Sequence, residues 1–160
     1  MEPVRLHNDF REFLKLLNSK GIEYLVVGGH AVGLYGYPRT TGDMDVWCNR
    51  TEGNALKLVD ILHKFGFSDP AIRVDLFLTE EKIIRMGLPP VRIEILTSIS
   101  GVAFEDCYAR KHVETVMGIE VNFISLDDLM TNKKAAGRLK DLDDLEHLGL
   151  AGDCETPDDN

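Results

Sequence analysis

VVGGHAVGLYGYPRTTGDMDVW, residues 26–47, is the stretch that decides the fold. An apolar run ends in Gly28-Gly29, and some fifteen residues later Asp43 and Asp45 open a second apolar run. Glycines allow a backbone to approach a ligand closely. A helix starting just beyond them offers free N–H groups to an anion. A plain tight turn would use the same two residues. If DMDVWC is a strand, its period of two places Asp43 and Asp45 on one face. Two neighbouring carboxylates repel each other unless a cation or a proton lies between them. Carboxylate oxygens suit Mg²⁺ or Mn²⁺. The sequence holds four acid-x-acid pairs, roughly what its composition gives by chance. Context singles out the first pair, which alone opens a β-rich run after a Gly-Gly.

Outward from this stretch, helical and strand periods alternate. NDFREFLKLLNSKG, from Asn8, reads as a helix capped by Asn8 or Asp9, with Phe10, Phe13, Leu14 and Leu17 as its apolar stripe. IEYLVV is a short strand, and GHAVGLYG a short helix-like segment. TEGNALKLVDILHKFG is a helix with Thr51 as N-cap and Gly66 at its stop. KIIRMG and VRIEIL read as strands, and FEDCYARKHVETV as a helix running into a strand. IEVNFISL is a further strand. SLDDLMTNKKAAGRLKDLDDLEHLG reads as two helices divided at Gly137, with Ser125 as a cap. This alternation implies an α/β (α+β) domain, a mixed sheet of four to six strands flanked by helices.

The 160 residues fit one domain, taken as residues 1–150 and followed by a disordered acidic tail over 151–160. The net charge is −9, and four of the acids lie in the final DCETPDDN. A mildly acidic domain does not suit general coating of nucleic acid. No apolar run is long enough to span a membrane. The opening MEPVRLHNDF has no signal-peptide core, and the three cysteines form no metal spacing. A reduced, cytoplasmic location is expected.

Glu94 is the third element. In VRIEIL it shares a face with Arg92 and Leu96, while Val91, Ile93 and Ile95 share the other. Such a Glu is either paired with Arg92 or a neighbouring strand, or held by a metal.

Gly28-Gly29, DMDVW and EIL, together with RIEILTSISG and NKKAAGRLKDLDDLE, resemble the polymerase-β-like nucleotidyltransferase superfamily. Within it, the sequence is similar to a minimal bacterial branch grouped near AbiEii-type toxins. The likeness runs from about residue 8 to residue 149. It implies the nucleotidyltransferase fold and Mg²⁺-dependent (or Mn²⁺-dependent) transfer of a nucleoside monophosphate from an NTP. The acceptor implied is an RNA 3′ end or a protein side chain, and a toxin–antitoxin context with a partner protein is part of the expectation. By this likeness Asp43, Asp45 and Glu94 are the catalytic metal ligands. Gly28 and Gly29 cradle phosphate, and Lys133 contacts the triphosphate. Asp141 and Asp144 orient that lysine or cap the last helix. His30 and Arg39 are the other candidate nucleotide contacts. His30 stands where Ser or Thr is common, and Glu94 where Asp is common. Those departures leave a second reading, a catalytically inactive binding or antitoxin partner. Trp47 shares the Asp43/Asp45 face and reads as a core residue or a base-stacking platform.

Overall fold

The computed structural model describes residues 7–36, 42–88 and 91–153, with the side chains from 150 onward excluded. Along the chain run α1 (Asn8–Ser19), β1 (Tyr24–Val27), α2 (Gly28–Leu34), β2 (Asp43–Cys48) and α3 (Glu52–Lys64). A 3-10 turn (Val74–Leu78) leads to β3 (Ile83–Leu88), β4 (Val91–Leu96), α4 (Phe104–Ala109) and β5 (His112–Val116). Then come β6 (Ile119–Phe123), α5 (Leu126–Ala136) and α6 (Leu139–Asp153). The strands form one mixed sheet in the order β3-β4-β2-β1-β6-β5. β2 is parallel to β4, and β1 to β6. The other three pairings are antiparallel.

The stripe read from the sequence is the buried face of α1: Phe10, Phe13, Leu14 and Leu17. α3 contributes Ala55, Leu58, Ile61 and Leu62 to the same core, and Phe13 meets Phe65 edge-on. Burying each large side chain of this kind contributes roughly 1.5–3 kcal/mol. The cap of α1 differs from expectation. His7 Nδ1 accepts from the Asp9 N–H, so the helix opens one residue before Asn8 and Asp9 could cap it. The other ends follow the sequence. Thr51 accepts from the Asn54 N–H and Ser125 from the Asp128 N–H. Gly137 closes α5 in the left-handed conformation (φ 65°), which glycine adopts without a Cβ penalty.

The two faces of the sheet meet different partners. Tyr24 reaches α1, where its hydroxyl donates to Asn18 Oδ1. Trp47 lies on the opposite face and packs edge-on against Phe104 of α4 at 5.1 Å between ring centres. Asn54 ties α3 to the strand ends: its Oδ1 accepts from the Glu23 N–H, and its amide donates to the Glu23 and Asn49 carbonyls. No described helix is long and apolar enough to cross a membrane. α6 continues to Asp153, into the expected tail, and residues 154–160 of that tail lie outside the described residues.

Candidate active site

β1 runs into α2 without a connecting residue. The chain reverses at Gly28, whose φ of +68° is costly for any residue with a side chain. The antiparallel register sets Val27 opposite Asp45, and a Cβ on Gly28 would overlap Asp45 Oδ2. The glycine therefore allows the end of β1 to lie directly against the carboxylate. Gly28→Ala is expected to lower stability by about 2 kcal/mol, a fall in Tm of roughly 5 °C. Gly33, in the same helix, has open space where a Cβ would stand. Gly33→Ala should leave Tm unchanged or raise it, and thermal melts of the two variants check both statements.

The sheet register then assembles the acids. Asp43 pairs with Arg92 across β2–β4, Asp45 with Glu94, and Trp47 with Leu96. Across β3–β4, Arg85 lies beside Glu94. One row of the sheet thus reads Asp45, Glu94, Arg85. Asp43 receives a bidentate fork from Arg92, Nε to Oδ1 at 3.1 Å and Nη2 to Oδ2 at 2.8 Å. Glu94 accepts from Arg85 Nε at 2.8 Å, with Arg92 Nη2 3.6 Å away. Asp45 has no such neighbour. Its Oδ1 is buried without a hydrogen-bond partner among the described residues. Burial pushes its carboxyl up to about 7, and the Glu94 and Asp43 charges push in the same direction. Among the described residues no group of three His, Cys, Asp or Glu is already gathered as a metal site.

The acids open into a cleft of about 630 Å³ that Gly28 and Gly29 also line. Residues of α5 (Asn132, Lys133), of the link after it (Arg138) and of α6 (Lys140) complete the lining. The cleft therefore faces five cationic side chains, counting Arg85 and Arg92, against three carboxylates. Lys133 is buried, at 3% exposure, between two wholly buried acids. Its Nζ lies 3.2 Å from Asp141 Oδ1 and 3.1 Å from Asp144 Oδ2. Arg138 Nε reaches Asp141 Oδ2 at 2.6 Å.

The structure brings together Gly28, Gly29, Asp43, Asp45, Glu94 and Lys133. His30 does not line the cleft, although its ring interacts with the Asp43 backbone. It meets Phe10 edge-on at 5.5 Å, and burial holds its imidazole below the usual range, so it is neutral at physiological pH. Arg39 lies outside the described residues. Trp47 is buried in the sheet face, at 2% exposure. Sequence reasoning missed Arg85 as a cleft residue, and it saw Arg138 and Lys140 only as part of a basic group around Lys133. The alternation in KIIRMG carries a signal for Arg85, but only the register places it beside Glu94.

Residues 6–153 match the family described as nucleotidyl transferase of unknown function (DUF2204). The chain belongs to this family. No curated protein matches the sequence. Among solved structures, a protein from Thermotoga maritima assigned to the nucleotidyltransferases superposes with a TM-score of 0.61 at 19% identity, over 87% of this chain and 89% of that one. The lincosamide antibiotic adenylyltransferase LnuA, with lincomycin bound, gives 0.56 at 15% identity, over 91% and 97%. An antigenic nucleotidyltransferase-like protein from Paracoccidioides brasiliensis gives 0.52 at 17% identity, over 90% and 77%. At these identities the likeness concerns the fold, which this nucleotidyl transferase family member shares along most of its length.

Proposed function

We propose that the protein transfers a nucleoside monophosphate from a nucleoside triphosphate to an acceptor nucleophile, releasing pyrophosphate. The observation that carries this reading is the row of carboxylates Asp43, Asp45 and Glu94 on two adjacent strands, facing a cleft whose other charged residues are all cationic. The cationic wall suits a triphosphate. Gly28 and Gly29 let the backbone come close to it.

The carboxylates fit a hard divalent cation. Asp45 is half-buried, with a buried oxygen that has no hydrogen-bond partner among the described residues and two acids beside it, a deficit that positive charge relieves. Asp43, Asp45 and Glu94 would hold Mg²⁺ or Mn²⁺ once the Arg92 and Arg85 pairs open. When bound, the cation supplies charge neutralisation at the phosphates. The chain's own part is positioning. An acceptor hydroxyl oxygen attacks the α-phosphorus, forming a new P–O bond. The bond from that phosphorus to the bridging oxygen breaks, and its electron pair leaves with pyrophosphate. The hydroxyl proton passes to the Asp45–Glu94 carboxylate pair. The cations freed from Asp43 and Glu94 meet the leaving charge. The motif likeness to the polymerase-β-like superfamily, and to its minimal AbiEii-near branch, supports the same chemistry. It also keeps an RNA end, a protein side chain and a toxin–antitoxin partner among the acceptors and partners to be tried.

The arginine forks favour a second reading. Asp43 and Glu94 already have cationic partners, so the fold could serve as a binding partner without turnover. Calorimetric titration of the four NTPs with Mg²⁺ separates the two. ATP comes first, since one neighbour in fold is an adenylyltransferase. The expected result is Mg²⁺-dependent binding of at least one NTP, lost in Asp43→Asn/Asp45→Asn. Failure of all four to bind at millimolar concentration would exclude the enzyme reading for the isolated chain.

A further inference from the structure

The carboxylate cleft has a charged end and a neutral end, and the sheet register sets their order. Successive rows across β2, β4 and β3 read Asp43, Arg92, Gly87; then Asp45, Glu94, Arg85; then Trp47, Leu96, Ile83. Residues two apart on a strand share a face and lie about 7 Å from each other. The apolar row therefore lies one such step beyond the carboxylates. Trp47 is covered there by Phe104, which it meets edge-on. Leu96 is half-buried and Ile83 is exposed, and both line the cleft. Ile99 and Ala136, each half-buried, extend this apolar surface. The polar residues of this end are uncharged: Ser98, Ser100 and Asn132. Asn132, on α5, donates from Nδ2 to the Ser100 carbonyl at 3.0 Å. That bond fixes which way round the amide stands, because a turned amide would set Oδ1 against the carbonyl oxygen. Oδ1 takes no part in the bond and remains an acceptor.

We infer that the neutral end holds the base of the nucleoside triphosphate and that Asn132 selects it. The base favoured carries an exocyclic amino group where guanine and uracil carry a carbonyl oxygen; adenine and cytosine are such bases. The inference rests on the transferase reading above and names the nucleotide. The triphosphate meets the charged rows, the ribose spans the step to the apolar row, and the base lies on Leu96 and Ile83. Apolar surface with a few fixed polar groups is what a base-sized ligand needs. The amino group donates to Asn132 Oδ1. A carbonyl in its place would face that oxygen, leaving two acceptors opposed and unpaired. The amide cannot turn to suit it without giving up the Ser100 carbonyl.

The test is calorimetry on the full chain with Mg²⁺ and six probes: the four NTPs, inosine triphosphate, and tripolyphosphate, which has no base. Inosine triphosphate is ATP with a carbonyl in place of the amino group. The tighter of ATP and CTP is expected to exceed both GTP and UTP by roughly tenfold or more, and ATP to exceed inosine triphosphate by a similar factor. Asn132→Leu should bring ATP and inosine triphosphate to within about twofold of each other, since it removes the acceptor. Ile83→Ser, at an exposed position, should weaken every nucleotide and keep the ATP preference. Tripolyphosphate should bind all three proteins alike, and melting curves confirm that each is folded. Equal binding of ATP and inosine triphosphate by the wild type, or a preference that survives Asn132→Leu, overturns the inference. Tripolyphosphate binding with no preference among the NTPs overturns it too and leaves the transferase reading intact. Failure of tripolyphosphate and of every NTP to bind overturns the transferase reading and the base site with it.

Discussion

Asp45→Asn is expected to abolish nucleotidyl transfer, by at least 10³-fold, and at the same time to make the metal-free protein more stable. The two effects share one cause. Asp45 is half-buried beside Glu94 and Asp43, and its Oδ1, itself buried, has no hydrogen-bond partner among the described residues. Ionising such a group is unfavourable, as its carboxyl raised to about 7 records. The amide keeps the shape and removes the charge, so at pH 8 in chelator the variant should gain on the order of 2 kcal/mol. In a protein of this size that raises Tm by roughly 5 °C. Asp43→Asn should behave differently. Asp43 holds a bidentate arginine, and the amide weakens that fork, so transfer is lost with no gain in stability. Denaturation curves with and without Mg²⁺, beside a pyrophosphate-release assay, check both variants. A destabilised Asp45→Asn would show that the unpartnered carboxylate is not under electrostatic strain.

Lys133→Met should be the most damaging substitution for stability, at about 3 kcal/mol. Lys133 sits between Asp141 and Asp144, both fully buried. Removing one partner of a buried ionic cluster leaves uncompensated charge, which costs more than the cluster contributes. The double variant Lys133→Met/Asp144→Asn should recover part of the loss, and chemical denaturation of the four proteins of that cycle measures the coupling. The pH dependence has a defined sign. Burial raises the Asp141 carboxyl, but hydrogen bonds from Arg138 and Lys133 outweigh it and hold the group below the usual range. A folded-state value below the unfolded one gives stability that is present above the unfolded value of about 3.9. That stability is lost as pH falls through the lower folded value. Acid unfolding should therefore begin at a higher pH in Lys133→Met than in the wild type.

Much of this was legible in the sequence because local rules and the global fold agree. The α1 stripe, the Thr51 and Ser125 caps and the left-handed Gly137 are each set by a few neighbouring residues. Asp43 and Asp45 share a face because a strand has period two, whatever its partners are. The arginines are a different matter. Arg92 stands opposite Asp43, and Arg85 opposite Glu94, only because β2, β4 and β3 pair in one register. Strand order and register depend on contacts between distant segments, which no local spacing encodes. Burial of Lys133 was likewise hidden. NKKAAGRLKDLDDLE has the composition of a solvated helical surface, and only the packing of α5 on α6 buries one of its lysines with two of its acids. The His7 cap escaped because histidine ranks low among capping residues.

The buried lysine also fixes when the site can first exist. A ribosome delivers the chain from its N-terminus, so Gly28, Asp43, Asp45 and Glu94 emerge long before Asp141 and Asp144. The sheet that carries the carboxylates can pair while the cationic wall is still unmade. Lys133 finds its two counter-charges only when α6 has been synthesised and has docked on α5. A message cut short before the codon for Asp144 therefore encodes every carboxylate of the site and yields an inert product.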